Sequence, residues 1–173
     1  MSYRLGRWQS GACEKAGLIA ATIAKATNAD IVRFGSSAQF TQYDPNKNVF
    51  DLGQQLSYAN MGGTSIAAAF NKINGKQYDR IILLSDNEAN TGSTSAAYKN
   101  YLRSVNSSPY VYCIDFASYG TTPLKNDGKI NYYYGFGYAM FDDIASKEFN
   151  PMQHIDKVRA VVIDPNYTPV NAA

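Results

Sequence analysis

Strands that alternate with helices along the 173 residues predict an α/β fold: a three-layer, doubly wound, mostly parallel sheet with helices on both faces. Three stretches carry that expectation. Ile81 to Leu84 is an unbroken aliphatic run bounded by polar residues, the pattern of a strand buried on both faces. It ends in Ser85-Asp86-Asn87-Glu88, a carboxylate-rich turn at the end where sheets of this class bind their ligands. Met61-Gly62-Gly63-Thr64-Ser65 stands just ahead of a helical period. Its glycines allow a tight turn, and Thr64 or Ser65 can cap the helix while offering a hydroxyl oxygen to a cation.

The other elements follow in order. Met1 to Gly11 is polar and irregular, with Trp8 as its large apolar group. From Ala12 a helical period places Ala12, Ala16, Ile19, Ala20 and Ile23 on one face, with small residues that suit close packing. Asn28 ends it, Ala29 to Gly35 reads as a strand, and Ala38 to Thr41 is its hairpin partner. Tyr43-Asp44-Pro45-Asn46 is turn chemistry, and Val49, Leu52, Leu56 and Tyr58 supply a short amphipathic helix leading to the glycine loop.

After Thr64, the residues Ile66, Ala69, Phe70 and Ile73 mark a helix closed by Asn74-Gly75. Beyond the central aliphatic strand, Asn90 to Ser93 is a loop, and Ala97, Tyr101, Leu102 and Val105 form the next helical face. Tyr110 to Phe116 is a strand containing Asp115, Thr121 to Lys129 a loop, Ile130 to Tyr134 a last sheet strand, and Ala139 to Lys147 a final helix. The tail from Pro151 holds one more apolar run, Ala160-Val161-Val162-Ile163, before Asp164-Pro165.

Composition narrows the function classes. Lys and Arg number 16 against 14 Asp and Glu, too small a surplus to argue for nucleic acid. No apolar run approaches the roughly 18 residues of a membrane span, so no membrane partner is expected. Cys13 and Cys113 fall in different settings and read as free thiols, which fits a reducing, cytoplasmic compartment; the N-terminus shows no signal peptide pattern. A single histidine, His154, leaves little material for a Cys-His or Ser-His-Asp arrangement. The 14 tyrosines suggest sticky polar surfaces for protein contacts.

The pair Gly62-Gly63-Thr64 and Ser85-Asp86-Asn87-Glu88 resembles the von Willebrand factor A domain, a Rossmann-like fold, and is most similar to its version in the Ro autoantigen (TROVE) family. The likeness covers residues 1–163 as one A-like domain, with 164–173 as a C-terminal tail. It implies a metal-ion-dependent adhesion site in which Thr64 and Asp86 hold Mg²⁺ or another divalent cation, directly or through water. Gly62, Gly63, Ser65 and Glu88 would form the binding loop, and one open coordination position would take an acidic residue of a protein partner. It also implies membership of a ribonucleoprotein with small non-coding RNA, although the RNA-binding ring of that family is not encoded here.

One part of the family pattern does not match. An A domain opens with a central strand ending in Asp-x-Ser-x-Ser, and the simplest alignment makes Met1 the methionine that follows that motif. A first strand that is missing or replaced leaves two neighbours without their partner. Three arrangements stay open: a second chain supplies the strand by β-augmentation; Ala160 to Ile163 fills the place, with Asp164, Asn166 and Thr168 at the spacing of the motif as further metal ligands; or the sheet is rearranged and serves as a scaffold.

The leading expectation is therefore a non-enzymatic binding module. A structural or assembly component, for example viral, with a vestigial metal site and contacts through Tyr132 to Tyr134, is the alternative. An enzyme using Asp86, Glu88 and Asp115 on phosphoryl groups is a third class, but no phosphate-cradling glycine loop with its lysine is present.

Overall fold

Helices and strands alternate as the periodicities predict, in a computed structural model that describes residues 9–57, 63–85, 93–116, 122–125, 128–135 and 137–149. The order is α1 (Gln9–Thr27), β1 (Ile31–Phe34), β2 (Ala38–Thr41), α2 (Val49–Ser57), α3 (Ile66–Lys72), β3 (Arg80–Ser85), α4 (Thr94–Val105), β4 (Tyr110–Asp115), β5 (Ile130–Tyr134) and α5 (Tyr138–Phe149). The chain forms two compact units, Met1–Gly135 and Phe136–Ala173.

In the first unit β1 and β2 make an antiparallel hairpin, with Ile31 opposite Thr41 and Phe34 opposite Ala38. The strands β3, β4 and β5 form a parallel sheet in that order, Arg80 beside Tyr110 and Val111 beside Ile130. Side chains alternate across this sheet. Leu83, Val111, Cys113 and Ile130 join Ile66 and Phe70 of α3 and Ala97, Tyr98 and Tyr101 of α4 in one buried cluster, against which Val32 and Phe34 of β1 also pack. A second cluster of Ala21, Leu52 and Leu56 lies between α1 and α2 and receives Ile31. Helix α1 packs along α2 and also touches β3, so helices flank the strands on both sides.

The α1–α2 crossing depends on Gly17 and Gly53, which bring the two backbones together. That contact shifts part of the buried stripe of α1: Ile19 is buried as expected and Gly17, Ala21 and Ala24 are buried with it, whereas Ala16, Ala20 and Ile23 are only half-buried. Lys25, in the last turn of α1, donates to the carbonyls of Pro45 and Lys47, both at 2.6 Å, and so fixes the loop that leads into α2.

The expectation that Ile81 to Leu84 is buried on both faces needs correction. Within that run only Leu83 is buried, while Ile81, Ile82 and Leu84 are half-buried. The more shielded strand is β4, where Val111 to Asp115 are each 0% exposed. The reason is lateral: β4 lies between β3 and β5, while β3 has a strand on one side only among the described residues.

In the second unit α5 carries a Lys147–Asp143 ion pair of 3.0 Å and a Ser146 hydroxyl that donates to the Asp142 carbonyl. Met140 and Ile144, one turn apart, are buried.

Candidate functional site

The glycine loop is hung from the end of β1. Gly63 N–H donates to the Ser36 hydroxyl at 3.1 Å, and Ser65 N–H donates to the Gly35 carbonyl at 2.9 Å. The backbone at Gly63 and Ser65 thus runs beside the Gly35-Ser36-Ser37 turn. Ser65 is the cap of α3: it is extended at φ −123° and ψ 93°, and its hydroxyl oxygen accepts from Ala68 N–H at 3.2 Å. Its side chain is thereby taken up in the helix end and buried. Of the two hydroxyl residues that the sequence offers, Thr64 is the one standing half-buried just outside the cap.

The neighbouring strand ends lie at the same end of the parallel sheet. The Ser85 carbonyl accepts from Phe116 N–H at 3.2 Å, and the Asp115 carbonyl accepts from Gly135 N–H at 2.8 Å. Ser85 stands beside Asp115 in the ladder, and Asp115 beside Tyr134. The Asp115 carboxylate is fully buried. Ser93 caps α4 by accepting from Ala96 N–H, and the next residue, Thr94, holds a buried hydroxyl with no hydrogen-bond partner among the described residues. Sequence reading assigned no role to Ser36 or Thr94. Ser36 had a signal, since a Ser-Ser turn after a glycine offers hydroxyls to a neighbouring loop; Thr94 had none.

Of the residues expected to form the site, Gly63, Thr64 and Ser65 are placed at the loop just described. Gly62, Asp86, Glu88, Asp164, Asn166 and Thr168 lie outside the described residues. The donor chemistry within the described part is oxygen only, from the Thr64 and Ser85 hydroxyls and backbone carbonyls, which suits a hard divalent cation. Among the described residues no three His, Cys, Asp or Glu side chains stand together.

The strongest polar cluster is at the opposite end of the strands. Asp30, just before β1, pairs with Lys76 at 2.6 Å and accepts from the Tyr78 hydroxyl at 2.7 Å. The bonds from Lys76 and then Tyr78 hold the Asp30 carboxyl below its usual range. Burial, followed by the bond to Asp30, raises Tyr78. This cluster joins the approach to β3 to the approach to β1. A cleft of about 430 Å³ opens beside it, lined in part by Asn28, Phe40, Gln42 and Tyr43. That cleft is not at the Thr64 end.

Both cysteines are free thiols, Cys13 exposed and Cys113 buried in β4. Burial pushes the Cys113 thiol up to about 12, which suppresses the thiolate that a nucleophile needs. The three tyrosines of β5 differ in setting. The Tyr132 hydroxyl is bound by the Leu124 backbone, donating to its carbonyl at 2.7 Å, and Tyr133 lies 6.3 Å from the Tyr112 ring, so only Tyr134, 53% exposed, presents itself outward. No helix among the described residues is long and apolar enough to cross a membrane.

No family profile and no curated protein matches the chain. Among solved structures it is similar to the Ro (RSR) protein of Deinococcus radiodurans, with a TM-score of 0.64 and 17% identity. The match covers 76% of this chain and 29% of that one, so the chain spans less than a third of the length of the Ro protein it resembles. At that identity the likeness shows the fold.

Proposed function

We propose that the chain is a non-enzymatic binding module of a Ro-like ribonucleoprotein. Thr64 and Asp86 hold a divalent cation, Mg²⁺ or a related ion, and one coordination position stays open for a carboxylate of a protein partner. The observation that supports this reading is the division of labour in the glycine loop: Ser65 caps α3, while Thr64 stands beside the cap at the carboxyl end of β1. The fold likeness to a Ro protein favours the same reading. Small non-coding RNA belongs to the wider assembly rather than to a surface of this chain, whose net charge is only +2.

The test is thermal unfolding of the chain with Mg²⁺ or Mn²⁺ against chelator, since a ion held only by the folded state raises the melting temperature with occupancy. The expected result is a rise that Thr64→Val and Asp86→Ala each abolish. Equal melting with and without cation would overturn the reading. A second reading, an assembly component, is favoured by the exposure of Phe50 at 71% and Tyr134 at 53%. It predicts that Phe50→Ser and Tyr134→Ser disturb association of the chain and leave cation dependence alone.

A further inference from the structure

Asn74 is the one asparagine in the sequence that glycine follows. The pair lies just past the end of α3, with Gly75 at φ +80° in the left-handed region that glycine favours. Both residues are exposed, and nothing lies within 4 Å of where a β-carbon on Gly75 would stand. No side chain on Gly75 therefore screens its backbone nitrogen from the Asn74 carboxamide.

That nitrogen is tied down in another way. Its N–H donates to the Ser104 hydroxyl oxygen at 2.9 Å, and the same hydroxyl donates to the Tyr101 carbonyl at 2.8 Å. One residue on, the Lys76 carbonyl accepts from the Tyr101 hydroxyl at 3.2 Å. The end of α4 thus holds the turn after α3 at two consecutive residues. A peptide nitrogen must give up its proton and turn its lone pair on the carboxamide before it can attack, and the Ser104 bond opposes both steps.

We propose that Asn74 is a site of spontaneous deamidation whose rate is set by the Gly75–Ser104 bond. The Gly75 nitrogen attacks Asn74 Cγ and forms a C–N bond, and the carboxamide nitrogen leaves as ammonia with the proton that Gly75 gives up. Water then opens the cyclic imide. Cleavage at Cγ leaves aspartate, and cleavage at the Asn74 main-chain carbonyl leaves isoaspartate. In sum water is consumed and ammonia released, with no change of oxidation state.

The new charge falls beside a cationic cluster. Lys76 pairs with Asp30 at 2.6 Å, and Lys72 and Lys76 both stand over the Phe40 ring, at 5.6 and 5.2 Å from its centre. A carboxylate at position 74 offers these lysines a second anion and weakens the hold of Asp30 on Lys76, the contact that joins the approaches to β1 and β3. Isoaspartate also adds a main-chain carbon ahead of Gly75, which draws its N–H off Ser104. The inference stands apart from the cation reading, since Asn74 follows α3 and Thr64 precedes it.

The experiment is incubation of the full chain in mildly alkaline buffer made with heavy-oxygen water, which labels only residues hydrolysed during the incubation. Peptide mapping then separates isoaspartate from aspartate. Native Asn74 should react about three- to tenfold more slowly than the same residue in urea, because reaction waits on local opening of the turn. Ser104→Ala should speed the native reaction at least about twofold, and Ser104→Thr, which keeps the hydroxyl acceptor, should hold it near the parent rate. An unlabelled native Asn74 when the unfolded chain has reacted fully would overturn the site. Equal native rates in the parent chain and Ser104→Ala would overturn the gate, as would a Ser104→Thr rate as fast as that of Ser104→Ala.

Discussion

Gly17 of α1 and Gly53 of α2 meet with no room for a side chain. A β-carbon on Gly17 would stand 2.4 Å from the Gly53 carbonyl oxygen and 2.9 Å from the Ser57 nitrogen, and both obstacles are backbone. Gly17→Ala should therefore push the helices apart and destabilise the first unit by about 2–3 kcal/mol, overriding the helix-propensity gain of alanine. Gly11 in the same helix has nothing within 4 Å, so Gly11→Ala should be neutral or stabilising by up to about 1 kcal/mol. Urea denaturation of the two variants checks the contrast.

Cap and ligand separate by mutation at adjacent positions. Ser65→Ala removes the acceptor for Ala68 N–H and should cost about 1 kcal/mol whether or not cation is present. Thr64→Val keeps the Ser65 cap, so what it should remove is the cation-dependent rise in melting temperature rather than the cap's contribution. Denaturation curves in chelator and in Mg²⁺ compare the two.

Thr94 buries a hydroxyl that bonds nothing among the described residues, at the first turn of α4. An unsatisfied buried polar group is costly, so the isosteric Thr94→Val should stabilise by about 1 kcal/mol. A loss of stability on substitution would show that the hydroxyl has a partner in the working protein.

The depressed Asp30 carboxyl gives a pH signature. Because its folded value lies below the unfolded one, the stability it contributes is present above about pH 4 and is lost as pH falls through the folded value. Asp30→Asn should therefore lower stability near neutral pH and converge with the parent chain in acid. The Lys76 and Asp30 side chains are 54% and 38% exposed, so the neutral-pH difference should stay below about 1 kcal/mol and shrink in high salt. Urea titrations across pH test both the convergence and the salt effect.

Cys113 and Cys13 should differ in reactivity. With its thiol near 12, Cys113 should resist iodoacetamide at pH 8 while exposed Cys13 is alkylated, giving one adduct by mass spectrometry in the native chain and two in urea. The raised value also means that the stabilisation from keeping this thiol neutral is complete below about pH 8.5 and is lost as pH rises toward 12.

Local chemistry made much of this fold readable. The hairpin strand Ala38–Thr41 and the strand Ile130–Tyr134 lie where alternation and turn residues placed them. The positive φ of Gly75 follows the α3 stop that Asn74-Gly75 announced. What sequence could not deliver was lateral position. Four aliphatics in a row describe a strand covered by helices, but the run in β3 says nothing about how many strands lie beside it, and β4 turned out to be the shielded one. The α1 face was right at Ile19 and off elsewhere, because the rest of its buried line is chosen by Gly53, a residue far along the chain. At the candidate site the glycine loop was legible because capping is local, while Ser36 joins it through a tertiary contact.

The spacing of the ladder partners also sets an order of assembly. Hairpin partners such as Phe34 and Ala38 are near in sequence, and although the Gly17–Gly53 contact of α1 with α2 closes a long loop of its own, everything from Gln9 to Ser57 is synthesised before β3 begins. Arg80 must wait for Tyr110, and Val111 for Ile130, each closing a long loop before any bond rewards it. On a ribosome the helical pair and hairpin would thus be finished while the parallel sheet is still being synthesised, and the late, slow step of folding is the docking of β3 and β4.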